Sequence, residues 1–577
     1  MYETWTEVDG VPVVWAPGDG PLRAALSFRT GTADETAPIR GISHLTEHLV
    51  LHGLHEHRFD HNGFVDLTRT VFHCDGSPEE VVRFLGHVCG RLSGGLPTER
   101  LEVERRVLRA EEAERGRSAG EVLMAKRFGV RQYGLCDAPE LGVDWLDERT
   151  LAWWTGHRYG RANAILWLTG PPPEGLRLPL GDAPHHLPPP VQPLPRATPA
   201  WFVREGDDVV ALSALLPAAE AGRAASVYLL EELNRRLRFE AGLTYGVKGD
   251  VRRLDGATYH LVVSAGVPEK HARLRDELVA TIERLATEGI TEETARPFLL
   301  RVSERETQAH DVLDLLAIEH LCGLPRRTVA EAEAAVRDVD PASMTAAFRA
   351  IANSAIYLLP KGLDLPSGRY TMLPRWSTVQ VAGDLWRPVP LADGTSYEQS
   401  LVIGPDGVTM TVADGTVTVR WADAVAVLWW RDGARVVVGA DGFQVAVMPD
   451  EWFDGAGAVA RIDALAPRDR YVPRGEGDPE RQGRALAIAE AVAAGARPPT
   501  PAAATPTIPG GLPIKPWHWW VLVALGALMA LRLVTVAFHD PAGPESLRVV
   551  DWPGLLIGLA VAGATAWGAT RLLRRQD

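Results

Sequence analysis

Disulfide bonds are the first thing this chain of 577 residues cannot rely on. Its four cysteines (Cys74, Cys89, Cys136 and Cys322) are scattered and form no C-x-x-C pair. In a chain of this length that excludes a disulfide framework and points to a reducing compartment. A surplus of positive charge is missing too: 60 Lys and Arg stand against 74 Asp and Glu, a formal net charge of -14. Phosphate binding needs a basic face, so nucleic acid is excluded as the main partner. Residues 1–30 show no basic start followed by an apolar run, so no secretory leader is expected there. Close sequence repeats are absent as well. What is present is 46% hydrophobic and 23% charged residues, which suits ordered globular domains, and a length that calls for several of them.

Long apolar runs appear only at the C-terminus. Trp517 to Phe538 is apolar apart from His518 and Arg532. Val549 to Thr570 is a second run, richer in Gly and Ala and carrying Asp551 and Pro553. Both have the length of a membrane span. Two buried core helices are the competing reading. Trp517, Trp519 and Trp520 bunch at one end like an interfacial belt. Lys515 precedes the first run, Arg571, Arg574 and Arg575 follow the second, and only Arg548 lies in the connection. The positive-inside rule then puts both flanks in the cytoplasm, with everything before residue 515 on the cytoplasmic side of the cell membrane. Arg532 is costly in lipid, so it should face the second helix or snorkel.

The rest of the chain reads as an α+β assembly. Strands are expected at 11–15, 22–30, 64–74 and 162–170, with helices at 39–52, 78–93 and 98–116. The Pro-rich stretch at 171–173 and 184–199 reads as a linker. Residues 200–362 repeat the same grammar, giving two similar halves, 1–183 and 200–362. From 375 to 470, Asp-Gly turns at Asp406, Asp414, Asp432 and Asp441 punctuate short β-branched runs. This is a hairpin meander, followed by a helix near Trp452 to Leu465. Such a small β-rich domain resembles a pleckstrin-homology domain, without a motif to carry the likeness. An Ala-rich helix and a Pro/Ala-rich tether are expected over 478–513.

One short motif carries chemistry. His44-Leu45-Thr46-Glu47-His48 on a helix sets two imidazoles one turn apart with a carboxylate between them. That geometry holds zinc and a water beside a general base. Catalytic zinc takes three protein ligands, so a third is needed. The 98–116 helix, with Thr98 as its cap, offers candidates. At 100° per residue, Leu101, Val107 and Leu108 mark its buried stripe, and Glu104 and Glu111 project into it. Carboxylates on a core-facing stripe need a partner, and a metal is the obvious one. A solvated acidic helix is the alternative. His52, His55, His57, His61 and His73 also lie near the motif; His52 continues the i, i+4 row, but reads as an ordinary histidine.

Together, Gly41 to His48 and Glu104 to Glu111 resemble the pitrilysin/insulinase family of inverted zinc peptidases. Asp34-Glu35-Thr36 precedes the motif, Asn62 to Phe72 is similar to the family's active-site edge strand, and Leu237-Arg238 to Tyr245 is similar to its Arg and Tyr pair. The likeness spans roughly residues 1–362. It implies two pitrilysin-like α/β sandwich domains, with His44, His48 and Glu111 as Zn2+ ligands and Glu47 as general base. Glu104 would be a supporting acid, and Asn62, Arg238 and Tyr245 would contact a peptide paired along residues 64–72. The segment from His48 to Asn62 is shorter than in typical members, which puts substrate size in doubt. Four such domains close the family's chamber and this chain has two, so a homodimer, or a heterodimer with a related chain, is expected. A non-catalytic assembly subunit is the other role the family allows.

Overall fold

The structure is a computed structural model that describes residues 3–54, 60–206, 208–266, 271–303, 309–390 and 398–475. The expected helix and tether (478–513) and the two expected spans (517–538 and 549–570) lie outside the described residues. Among the described residues, no helix is long and apolar enough to cross a membrane.

The first half alternates short β-branched runs with amphipathic helices. Its strands are β1 (Thr4–Val8), β2 (Val11–Trp15), β3 (Leu22–Phe28), β4 (Asp60–Val65), β5 (Thr70–Gly76) and β6 (Ala164–Leu168). Its helices are α1 (Ile42–Leu51), α2 (Pro78–Gly94), α3 (Leu101–Glu114), α4 (Ala119–Phe128) and α5 (Glu148–Arg158). The second half holds β7 (Ala200–Arg204), β8 (Val210–Pro217), β9 (Lys248–Arg253), β10 (Thr258–Ala265), β11 (Ile356–Pro360) and β12 (Thr371–Met372). It also holds α6 (Glu220–Leu233), α7 (His271–Glu288), α8 (Glu292–Ser303), α9 (Ala309–Leu321), α10 (Val329–Arg337) and α11 (Pro341–Ser354).

The two halves share a topology. The strand orders are β1-β2-β6-β3-β5-β4 and β12-β7-β11-β8-β10-β9. In each, one parallel pair (β2 with β6, β7 with β11) sits beside an antiparallel run ending in a hairpin (β5 with β4, β10 with β9). Each sheet is buried on both faces, which explains why its central strands read as continuous apolar runs. Ala24, Leu26 and Phe28 of β3 meet Ile42, Leu45 and Leu49 of α1 and Phe84 and Val88 of α2. On the opposite face Ala25, Val71, Ile165 and Trp167 meet Leu313, Leu316 and Ala317 of α9, from the second half. The exchange is mutual, because Val122 and Leu123 of α4 cover Ala211, Ile356 and Leu358 of the second sheet. Arg69 seals the junction with two hydrogen bonds to Asp314, 2.6 and 2.8 Å.

Several sequence expectations need correction. The single strand expected over 64–74 is a hairpin of β4 and β5, so the free edge of the sheet is 60–65, and pairing along 64–72 is not available. The helix expected from Thr98 begins as a 3-10 turn, Thr98–Arg100, and becomes α-helical at Leu101, with no cap from the Thr98 side chain. Val107 is 38% exposed and does not belong to the buried stripe. The Pro-rich linker is strapped to the first half rather than free. Leu176, Leu178 and Leu180 enter its core, and the His186 and Leu187 carbonyls accept from Arg29.

The third domain contains two four-stranded sheets. One is β13 (Asp384–Trp386), β14 (Ser400–Gly404), β15 (Gly407–Val412) and β16 (Gly415–Arg420), in that order. The other uses β17 (Ala424–Trp429), β18 (Arg435–Gly439), β19 (Gln444–Val447) and β20 (Tyr471–Pro473). Helix α12 (Gly455–Leu465) packs Ala458 and Ile462 into the core between them.

Candidate metal centre

Helix α1 is short, and its start is unusually well held. Gly41 precedes it with φ of +99°, a left-handed conformation that glycine adopts without strain. A Cβ there would stand 2.7 Å from Val143 Cγ2 and 2.9 Å from Glu140 Cβ, so the site also needs glycine for space. The buried Glu35 carboxylate accepts from the Gly41 and Ser43 backbone N–H groups, each at 3.0 Å. A carboxylate at a helix N-terminus satisfies orphan donors and complements the dipole. Burial, the largest influence, pushes the Glu35 pKa up, while Arg40 and the two amides oppose it. Arg40 ties the corner together, reaching Glu35 at 3.1 Å, Glu140 at 3.2 Å and the Leu135 carbonyl at 3.1 Å.

From that anchored start, His44 and His48 project on one face, ring centroids 4.9 Å apart. Their Nε2 atoms converge on one Glu111 oxygen, at 3.5 Å from His44 and 3.6 Å from His48. Four-coordinate zinc with bonds of about 2.0–2.2 Å separates its ligand atoms by about 3.3–3.6 Å. Both separations to Glu111 match that spacing, so these residues suit the ion. Glu47 Oε2 is a little farther, 3.9 Å from His44 Nε2 and 4.0 Å from His48 Nε2. His44, Glu47 and His48 form a cluster able to hold a metal among the described residues, and neither Glu111 nor His52 belongs to it.

The outer nitrogens are held as well. His44 Nδ1 lies 3.1 Å from both oxygens of Glu140. Burial raises the Glu140 pKa, but the hydrogen bond from His44 and the charges of Arg40 and His44 outweigh it and bring it to about 2. An ionised carboxylate only accepts, so Nδ1 carries the proton and the Nε2 lone pair is left for a cation. His48 Nδ1 faces Glu104 Oε2 at 3.4 Å, and Arg100 lies 3.7 Å from the other Glu104 oxygen. Glu104 thus sits behind His48, on the Nδ1 side of its ring. Burial lowers the His44 pKa, and Glu140, Glu47 and Glu111 more than offset it, leaving it raised. Burial raises that of Glu47, with His48 and His44 opposing. Four carboxylates around two imidazoles call for a positive charge at the centre.

A protease from Helicobacter pylori aligns at TM-score 0.52 and 16% identity, over 62% of this chain and 99% of its own. A putative M16-like peptidase from Alicyclobacillus acidocaldarius aligns at 0.51 and 14%, over 62% and 98%. A structure from Pseudomonas fluorescens, described as an inactive M16 peptidase domain, aligns at 0.50 and 13%, over 62% and 98%. The fold is that of M16 peptidase domains. No family model matches the chain, and no curated protein does.

The remaining expected site residues are split between two places. Asn62 is exposed on edge strand β4, its Oδ1 accepting from the Gly63 N–H at 2.9 Å. Gly63 lets this strand approach the site, since a Cβ there would stand 2.7 Å from Glu47 Oε1. Arg238 and Tyr245 are elsewhere. Arg238 sits in a π-helical turn, Asn234–Glu240, its guanidinium 5.0 Å from the Tyr245 ring centre, and Tyr245 is 85% exposed. Neither lines the 710 Å³ cavity that opens onto His44 and Glu47.

That cavity brings in residues the sequence did not flag. Its far wall is β9 and β10 of the second half, with Asp250, Arg252 and His260. His260 is buried, and its Nε2 has no hydrogen-bond partner. Burial, then the charges of Arg127 and Arg252, hold its pKa well below the usual histidine value, so it faces the cavity as a neutral ring. Glu140 was also missed. It lies in a turn with no periodicity, and a lone Asp-Ala-Pro-Glu run offers no signal for it. Glu140→Gln is expected to weaken zinc binding about 10- to 100-fold, measured by chelator competition. Unchanged affinity would show that the His44 tautomer is set by something else.

Proposed function

We propose that this chain is a membrane-anchored zinc metalloendopeptidase of the pitrilysin/insulinase type, cutting peptides or unfolded segments on the cytoplasmic side of the cell membrane. The observation that carries the reading is the convergence of His44 Nε2, His48 Nε2 and Glu111 Oε2 beside a buried Glu47. Those three residues would hold the zinc. When bound, it supplies the Lewis acidity that makes water a nucleophile near neutral pH. Glu47 does the proton work. Its carboxylate, buried beside both imidazoles, is placed to accept a proton from water and deliver it to the leaving amine.

Edge strand β4 offers unpaired backbone groups from Asp60 to Val65, the kind of edge to which an extended peptide adds as a strand. Asn62 would lie near the scissile bond. The position of Arg238 and Tyr245 outside the cavity supports assembly through a second chain, whose Tyr245 would donate to the developing oxyanion. The apolar runs at 517–538 and 549–570, with their flanking cations, support the anchor.

Purified full-length protein is expected to carry about one zinc per chain, to cleave an unfolded reporter peptide, and to lose cleavage on chelation and regain it with zinc. Wild-type protein that holds no zinc would instead support the assembly-subunit role.

A further inference from the structure

The third domain has no part in the chemistry above, yet it grips the turn that carries Glu140. Leu135 and Leu141, on either side of Glu140, are buried with Ala37 in one cluster with Ala426 of β17, Val438 of β18 and Val472 of β20. Strand β17 lies against the 3-10 turn Ala37–Ile39, which leads into α1. The backbone is joined too: Val130 N–H donates to the Ala440 carbonyl at 2.9 Å. A Cβ on Gly129 would stand 1.8 Å from that carbonyl oxygen, so glycine is what permits the approach. Arg474 reaches Asp144 at 3.2 Å on the far side of the turn.

Inside the first half, the same turn is bonded to the segment that leads into α1. Gly142 N–H donates to the Arg40 carbonyl at 2.9 Å, and Trp145 Nε1 donates to the Pro38 carbonyl at 2.9 Å. The Glu140 turn is therefore clamped between that segment and the third domain. Without Ala426, Val438 and Val472, Leu135 and Leu141 would be left facing water, and the turn would lose its outer wall.

We propose that the third domain is a positioning element for the metal centre: Val438, Ala426 and Val472 hold Leu135 and Leu141 so that Glu140 stays on His44. This rests on the reading that His44, His48 and Glu111 hold zinc. It gives the domain a role in the affinity of the centre for its metal, apart from any part in location. It also makes domain docking a route by which events elsewhere in the chain reach the active site.

The test uses full-length protein and two readouts that do not depend on turnover: the visible absorption of bound cobalt and the zinc dissociation constant by chelator competition. Val438→Asp places a charge in the cluster, and Leu141→Ala is the milder variant should the first not fold. Either is expected to weaken zinc about 10-fold or more and to alter the cobalt spectrum, as loss of an outer hydrogen-bond partner does. In a Glu140→Gln background the same substitutions should add almost nothing, because the route runs through Glu140. Wild-type affinity in Leu141→Ala, or losses that add fully to that of Glu140→Gln, would overturn the inference. Absence of cobalt binding by the wild type, or full binding by His44→Ala, would instead overturn the zinc reading beneath it.

Discussion

Glu47→Gln is expected to keep its zinc and to lose peptide cleavage about 10²- to 10⁴-fold. The reason is geometric. Glu47 Oε2 is 3.9 and 4.0 Å from the two Nε2 atoms, whereas Glu111 Oε2 is 3.5 and 3.6 Å from them, so the proposed reading makes Glu111 the ligand and leaves Glu47 as the base. Glutamine keeps the shape and removes the basicity. Zinc content measured beside cleavage separates the roles. A variant that loses both would make Glu47 a ligand, and one that keeps both would mean the proton goes elsewhere.

Mixing Glu47→Gln with Tyr245→Phe chains is expected to restore activity that neither has alone. Tyr245→Phe by itself should lose about 10²- to 10³-fold, the effect of removing one oxyanion donor. Tyr245 is 85% exposed and lines no part of its own chain's cavity, so its hydroxyl is free for another subunit. In a mixed dimer one of the two sites pairs an intact Glu47 with an intact Tyr245. With random exchange in a closed symmetric dimer, recovery should approach about a quarter of the wild-type rate. Activity no greater than the sum of the two variants would sink the shared site, as would a monomer with full activity.

The legible part of the centre was the part with a period. His44, Glu47 and His48 share a helix face by spacing alone, and 100° per residue carried the argument across α3 to Glu104, whereas Glu111, expected on the same buried stripe, is exposed. The same rule overreached at Val107, because only a narrow strip of α3, Glu104 and Leu108, is buried against α1. The 66–69 turn was invisible for a different reason. Asp66 to Arg69 contains no Gly or Pro, and beside its own Asp66 N–H to Arg69 carbonyl bond at 2.8 Å the turn is held from outside: the Asp66 and Leu67 carbonyls accept from Thr32 and Ala33 N–H at 3.0 and 2.8 Å. Contacts of that range leave no local trace in composition.

The sequence by itself determined the chemistry within reach of one helix turn: two imidazoles and a carboxylate on α1, an acidic row on α3, a twice-used order of strands and helices. Side-chain direction is tied to helical periodicity, so such facts survive without coordinates. Only the tertiary structure decided which carboxylate stands at each nitrogen. It brought Glu140 to His44 across 96 positions, placed Glu104 behind His48, set the second half's His260 over the same cavity, and pressed the third domain onto the Glu140 turn. Those choices come from packing between segments far apart in the chain, where burial and hydrogen-bond satisfaction, not local spacing, select the arrangement.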